Sequence, residues 1–184
     1  MRVIGGSLRG RRLTAPAGLA TRPTADRIRE SIFNILAGRI EAKRVLDLFA
    51  GTGALGIEAL SRGAANAVFV DQAKIALTAL RRNLRALDLE DRARVCHWNI
   101  LKNLNCLAAE RPGFDLVFMD PPYETHAMEP ALASLAASGA LTPGACIVLE
   151  HSAREPLVIP VAELVLKDQR RFGKTLVSFM DTML

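Results

Sequence analysis

Asp47-Leu48-Phe49-Ala50-Gly51-Thr52-Gly53-Ala54-Leu55-Gly56 decides how this chain is read. It lies where an apolar run, Val45 to Phe49, gives way to a helical stretch over 54–62, and Gly51, Gly53 and Gly56 satisfy the spacing G-x-G-x-x-G. Glycines there allow a tight strand-to-helix turn and bring backbone amides up to a ligand at the helix N-terminus, which suits a pyrophosphate or an amino-acid carboxylate. Downstream the alternation repeats: Ala67 to Val70, helix 73–87, Ala93 to Trp98, helix 100–109, Phe114 to Met119, a helix near 127–138, and Cys146 to Leu149. Short apolar strands alternating with helices imply βαβ units and a parallel sheet. The tail departs from that rhythm: Glu163 to Lys167 and Thr175 to Met180 flank Arg170-Arg171-Phe172-Gly173-Lys174 as an antiparallel hairpin.

The chain has 184 residues, 50% hydrophobic and 23% charged, enough for one compact domain with a real core. No apolar run approaches the roughly 18 to 20 residues of a membrane span, and the first residues lack the apolar centre of a signal peptide, so a cytoplasmic protein is expected. Cys96, Cys106 and Cys146 form no Cys-x-x-Cys and have no histidine at metal spacing; free thiols and no metal site are expected. Charge is segregated. Residues 1–44 hold ten Lys/Arg against three Asp/Glu, whereas the remainder holds fourteen against sixteen, so a polyanionic partner is indicated for the N-terminal quarter. Within it, Arg2 to Leu13 reads as a small basic hairpin around a glycine-rich turn. Thr24 can cap a following helix whose Ile28, Ile32, Ile35 and Leu36 share one face. Residues 1–40 therefore read as a basic extension on a domain spanning 41–184.

Asp47 discriminates between ligands for the glycine loop. A carboxylate at the end of that strand would repel a pyrophosphate, whereas it suits the ammonium of S-adenosylmethionine (SAM) and tolerates its sulfonium. Asp71 closes the second strand about 20 residues past the glycines, where its oxygens can accept both ribose hydroxyls of an adenosine, an acid that NAD enzymes share. Asn99, after the third strand, can meet the adenine edge or serve as a plain turn residue. A second motif, Asp120-Pro121-Pro122-Tyr123, ends the fourth strand. Alone it is an ordinary stiff turn; opposite a glycine loop it suggests amine chemistry. The lone pair of an exocyclic amine is delocalised into its ring, and two acceptors, the Asp120 carboxylate and the Pro121 carbonyl, would draw that nitrogen toward tetrahedral geometry. Tyr123 can stack on the base, and the prolines hold the acceptors rigid.

Asp47 to Gly56 and Asp120 to Tyr123 together resemble the SAM-dependent amino-methyltransferases. Arg2-Val3-Ile4-Gly5-Gly6, Arg9-Gly10-Arg11-Arg12-Leu13, and Arg22-Pro23-Thr24 followed by Asp26 to Leu36 are similar to the bacterial RsmD family, enzymes that methylate N2 of one guanine in small-subunit (16S) ribosomal RNA. The resemblance implies an α/β fold of the Rossmann-like class I SAM-dependent methyltransferase type: a seven-stranded, mostly parallel sheet with an antiparallel last strand. It places Asp47 and the loop Gly51, Thr52 and Gly53 at the methionine part of SAM, Asp71 at the ribose and Asn99 with Ile100 at the adenine, with Ala50 and Gln72 also in the cofactor site. Many members of the wider superfamily carry Asp where Asn99 stands. Asp120, Pro121, Pro122 and Tyr123 would hold the target amine. Arg9, Arg11, Arg12, Arg22, Arg27 and Arg29 become candidates for RNA contact, the competing reading being a solvated basic face. The implied partner is 16S rRNA or the assembling small subunit, bound by a monomer. Competing amines are adenine N6 and a glutamine amide, although glutamine enzymes generally carry Asn in place of Asp120 and DNA enzymes usually add a recognition region. A non-catalytic RNA-binding module is hard to square with both motifs intact.

Overall fold

The computed structural model describes residues 1–16, 23–122, 126–159 and 161–183, with backbone alone at 23 and 24. Elements follow in the order α1 (Pro23–Ile35), β1 (Arg44–Leu48), α2 (Ala54–Ser61), β2 (Asn66–Asp71), α3 (Lys74–Ala86), β3 (Ala93–His97), β4 (Phe114–Met119), α4 (Met128–Ala137), β5 (Leu141–Ser152), β6 (Leu164–Phe172) and β7 (Thr175–Thr182). The strands form one sheet in the order β3-β2-β1-β4-β5-β7-β6. β1 to β5 are parallel, and β7 runs antiparallel to both β5 and β6. This is the mixed seven-stranded sheet of the class I methyltransferases. The strand order reverses between β2-β1 and β4, so β1 and β4 flank the crevice at which open α/β sheets bind ligands.

Two apolar layers cover the sheet. One joins Ile28, Ile32 and Phe33 of α1 and Leu36 just past it, Ile57 and Leu60 of α2, and Leu77, Leu80 and Leu84 of α3 to Val45, Phe69 and Phe118. The other joins Leu104, Leu107, Leu132 and Leu135 to Leu46, Val68, Val117 and Ile147. Each strand contributes alternate residues to the two layers, which is why β1, β2 and β4 read as continuous apolar runs. Val3 and Leu13 belong to the first layer, so the basic extension shares its core with the rest of the molecule. Residues 1–3 and 10–13 run antiparallel around one bridge, Arg2 to Arg12, a hairpin in its smallest form.

One predicted element is corrected. The helix expected over 100–109 is a pair of turns around a short 3-10 segment, Asn105–Leu107. Leu104 and Leu107 are buried as a helix pattern requires, but two asparagines take up local bonds. Asn99 Oδ1 accepts the Leu101 N–H, Asn103 Oδ1 accepts the Asn105 N–H, and the Trp98 indole donates to the Asn103 carbonyl at 3.0 Å. Such bonds offer the backbone an alternative to a helical ladder. Two strands also outrun their expected lengths. β5 begins at Leu141 and ends at Ser152, and β6 continues through Asp168 to Phe172, whose polar residues suit an edge strand. Among the described residues no helix is long and apolar enough to cross a membrane.

Candidate active site

The glycine loop is built by strain and close approach. Phe49 leaves β1 with φ 59°, a left-handed conformation costly for a bulky residue, and Gly51 and Gly53 follow with φ 55° and 82°. A Cβ on Gly53 would overlap Leu80, and one on Gly56 would overlap the Phe69 ring, so these positions let α2 and α3 close on the sheet. Three side chains hold the loop. Asp47 Oδ2 accepts the Gly56 N–H at 2.9 Å, Asp71 Oδ2 accepts the Gly51 N–H at 2.8 Å, and Asn83 Nδ2 donates to the Thr52 carbonyl at 3.0 Å. The other oxygen of Asp71 accepts the Ala73 N–H at 2.8 Å. Asp71 thus fastens the loop to the end of β2, and each oxygen retains a second lone pair for a hydroxyl donor.

Above the loop lies a cavity of about 260 Å³ lined by Asp47, Phe49, Ala50, Gly51, Thr52, Asp120 and Glu150, with Arg29 and Ile32 of α1 on its other wall. The sheet explains the convergence. Asp47 stands beside Phe118, and Phe118 beside Val148, so Asp47, Asp120 and Glu150 fall on one face at the C-terminal ends of β1, β4 and β5. Asp47 is 2% exposed. Burial pushes its carboxyl up to about 8, the Gly56 N–H opposing and the charge of Asp71 adding to the shift. Asp120 is reached by solvent yet walled in by protein, and that enclosure, then the charges of Glu150 and Asp47, push its carboxyl well above the usual range. Pro121 is buried and Pro122 exposed. Tyr123 lies outside the described residues.

Of the nine residues assigned to SAM by resemblance, six line one or other of two cavities, and Gly53, Asp71 and Ile100 line neither. Asp47, Ala50, Gly51 and Thr52 line the first; Gln72 and Asn99 line a second of about 280 Å³ with His97, Trp98 and Lys102. Ile100 is buried at 3% exposure, and the Asn99 side chain closes a turn onto Leu101. The donor set fits SAM. Asp47 is a sealed carboxylate with one backbone donor, which an ammonium would complete, and Asp71 and Asn99 retain acceptor or donor capacity toward an adenosine. Among the described residues no group of His, Cys, Asp and Glu is placed to hold a metal ion.

Of the arginines expected at RNA, Arg9, Arg11, Arg12 and Arg27 are exposed, and Arg22 lies outside the described residues. Arg29 is corrected. It is 4% exposed, its Nη2 donates to the Arg2 carbonyl at 2.6 Å and to Asp26 at 3.1 Å, and its Nε lies 3.9 Å from Glu58, so no phosphate reaches it. In the sequence it looks like its neighbours, because a cation one helical turn from Ala25 and Asp26 reads as solvated until the partner helix is placed. Arg11 reaches across to the Ala86 carbonyl at 2.6 Å, where Arg81, Arg82 and Arg85 line a shallow groove on α3. The basic surface is therefore wider than the sequence reading drew it.

Two further acids escaped the sequence reading. Glu58 is fully buried in α2 and accepts the backbone N–H groups of Ile4 and Gly5, each at 2.7 Å, and the Arg62 Nε at 2.8 Å. It clamps the N-terminal arm to the domain. Glu150 ends the apolar run of β5 as Asp120 ends that of β4; an acid closing two strands destined to be neighbours is the signal that could have found it.

Comparison with known proteins agrees with this geometry. The family described as Conserved hypothetical protein 95 matches residues 1–181. YlbH of Bacillus subtilis is 40% identical over 175 residues, covering 95% of each chain, and Ribosomal RNA small subunit methyltransferase D of Escherichia coli K12 is 39% identical over 174 residues, covering 95% of this chain and 86% of the relative. The solved structure of yhhF from Escherichia coli superposes with a TM-score of 0.86 at 35% identity, covering 100% of this chain and 98% of that one. A family match over nearly the whole length, on a sheet and glycine loop of this form, means that the chain belongs to the RsmD family of methyltransferases.

Proposed function

We propose that the protein transfers a methyl group from SAM to the exocyclic N2 amine of a guanine in 16S ribosomal RNA, acting in the cytoplasm as a monomer on the rRNA or the assembling small subunit. The observation that carries this reading is the convergence of Asp120 and Asp47 on one cavity beside the glycine loop. Relatives named for small-subunit rRNA supply the substrate class.

SAM, when bound, supplies an electrophilic methyl carbon on a sulfonium. Asp47 binds its ammonium, and the Gly51 to Gly53 turn leaves room for the methionine carboxylate at the start of α2. Asp71 and Gln72 accept and orient the ribose, and Asn99 with Ile100 meets the adenine. Asp120 and the Pro121 carbonyl each accept one N–H of the target amine, which turns its lone pair out of the ring plane; Tyr123 stacks on the base. Because Asp120 holds a proton more tightly than a free carboxylate, it is also a stronger acceptor, and its ionised form is the working one. The rate should therefore rise with pH through a limb lying above the ordinary carboxylate range. Arg9, Arg11, Arg12 and Arg27 hold phosphates around a base that has left its stack, at a cost of a few kcal/mol for extrusion.

The test is mass spectrometry of nucleosides from small subunits incubated with enzyme and methyl-labelled SAM. N2-methylguanosine is expected. N6-methyladenosine would replace this reading with the adenine one, and no labelled nucleoside would remove it.

A further inference from the structure

Glu150 lines the same cavity as Asp120, and the sheet sets the two side by side. β4 and β5 are parallel and in register up to Met119 beside Leu149, so Asp120, the first residue past β4, follows on from a pair whose next β5 residue is Glu150. Parallel partners project to one face, here the face of Phe118 and Val148 on which Asp47 also stands. The negative charge of Glu150 is felt at Asp120. Beside them Arg29, 96% out of solvent and with its Nε lacking a hydrogen bond, closes the wall.

Two adjacent carboxylates make a distinctive acceptor surface. Three nucleobases carry an exocyclic amine. In adenine the N6 amine is flanked on the Watson–Crick edge by N1, and in cytosine the N4 amine by N3; both neighbours are bare lone pairs. In guanine alone the amine is flanked by a donor, N1–H. If the amine is held by Asp120, the neighbouring ring position must face the next acceptor along the sheet. A carboxylate there rewards N1–H with a charge-assisted hydrogen bond and repels a lone pair.

We infer that Glu150 makes the site select guanine, its carboxylate accepting the target N1–H while Asp120 and the Pro121 carbonyl accept the two N2–H groups. This rests on the proposed function and names the substrate specificity of that same pocket. Asp120 supplies the grip on the amine that any amino-methyltransferase of this kind needs; Glu150 supplies the discrimination.

The test uses RNA in which the methylated guanine is replaced by 2-aminopurine, which keeps the N2 amine but has a bare N1. The wild-type enzyme should prefer guanine over 2-aminopurine by on the order of 100-fold in kcat/KM, because binding the analogue sets the half-buried Glu150 acceptor against a lone pair. Glu150→Gln should weaken activity on guanine, its amide oxygen still accepting the N1–H but without the charge, and bring that ratio to within about tenfold, because its amide N–H can donate to the bare N1. Glu150→Asp, which keeps the acceptor, should retain the guanine preference. SAM affinity by calorimetry should be unchanged in both. Equal use of both bases by the wild-type enzyme would overturn the inference, as would a Glu150→Gln enzyme that loses activity on both in proportion, the mark of a merely structural residue. Should Glu150→Gln not fold, the wild-type ratio and the Glu150→Asp ratio still decide. Failure of the underlying function reading looks different: the wild-type enzyme would form no N2-methylguanosine from guanine at all.

Discussion

The anchor of the N-terminal arm and the floor of the cavity are both built on buried carboxylates, 0% exposed at Glu58 and 2% at Asp47. Around Glu58 the chain supplies a full set of donors: two backbone N–H groups, the Arg62 guanidinium, and Arg29 at 3.9 Å. Around Asp47 the described residues supply the Gly56 N–H and otherwise more negative charge, Asp71 and Asp120. The first arrangement is closed and holds two segments of chain together. The second is unfinished, and what would finish it is a positive or donor-bearing ligand. A buried acid with all its partners in the chain is a joint; one whose partners are missing is a binding site held at a cost in stability.

That contrast can be broken at several points. The largest effect is expected at Asp120→Ala, where methyl transfer should fall by about 1,000-fold, measured by incorporation of labelled methyl into rRNA, while SAM binding by calorimetry survives. At the joint, Glu58→Ala should cost about 3–5 kcal/mol, because it leaves the Arg29 and Arg62 charges and two amides without their acceptor; a thermal melt should move down by roughly 10 °C. Activity should fall with it as the arm loosens, whereas Asp120→Ala should leave the melt in place or raise it.

Asp47→Asn sharpens the comparison through its pH dependence. The folded carboxyl titrates near 8, above its unfolded value, so its protonated form stabilises the native state fully below about pH 4, and this stabilisation is lost as pH rises through about 8. The asparagine variant does not ionise. Its ligand-free melting temperature should therefore exceed that of the wild type by several degrees at pH 8 and match it near pH 4, while its SAM affinity drops by about 100-fold. The smallest effect is expected on the basic surface. Replacing Arg9, Arg11 and Arg12 together by glutamine should raise KM for rRNA several-fold at physiological salt and flatten the salt dependence of binding by up to about three counterions, with no change in SAM affinity.

Much of this was legible in the chain. The alternation of apolar runs and amphipathic stretches is local, and it located β1 to β4, α2, α3 and α4 to within a residue or two. Asp47, the three glycines and Asp120 were legible because each ends or follows a strand whose apolar pattern is unambiguous, and a parallel sheet sends every such end to the same edge. The 100–109 stretch misled because its leucines recur at helical spacing while its asparagines bond locally, and the outcome was decided by side chains that periodicity ignores.

Other residues had no local signature at all. Arg29 reads like Arg27, one exposed and the other sealed, because the difference lies in Glu58, 29 positions away, and in the Arg2 carbonyl. Glu150 reads like the end of a strand until β5 is set beside β4 in register. The amino-acid sequence by itself determined the parallel sheet, the glycine turn and the acids at the ends of β1, β2 and β4, since backbone stereochemistry and the spacing of apolar side chains act over a few residues. Only the tertiary structure decided which charges became joints and which became a pocket, because a buried charge is stabilised or left wanting by groups brought close from distant parts of the chain.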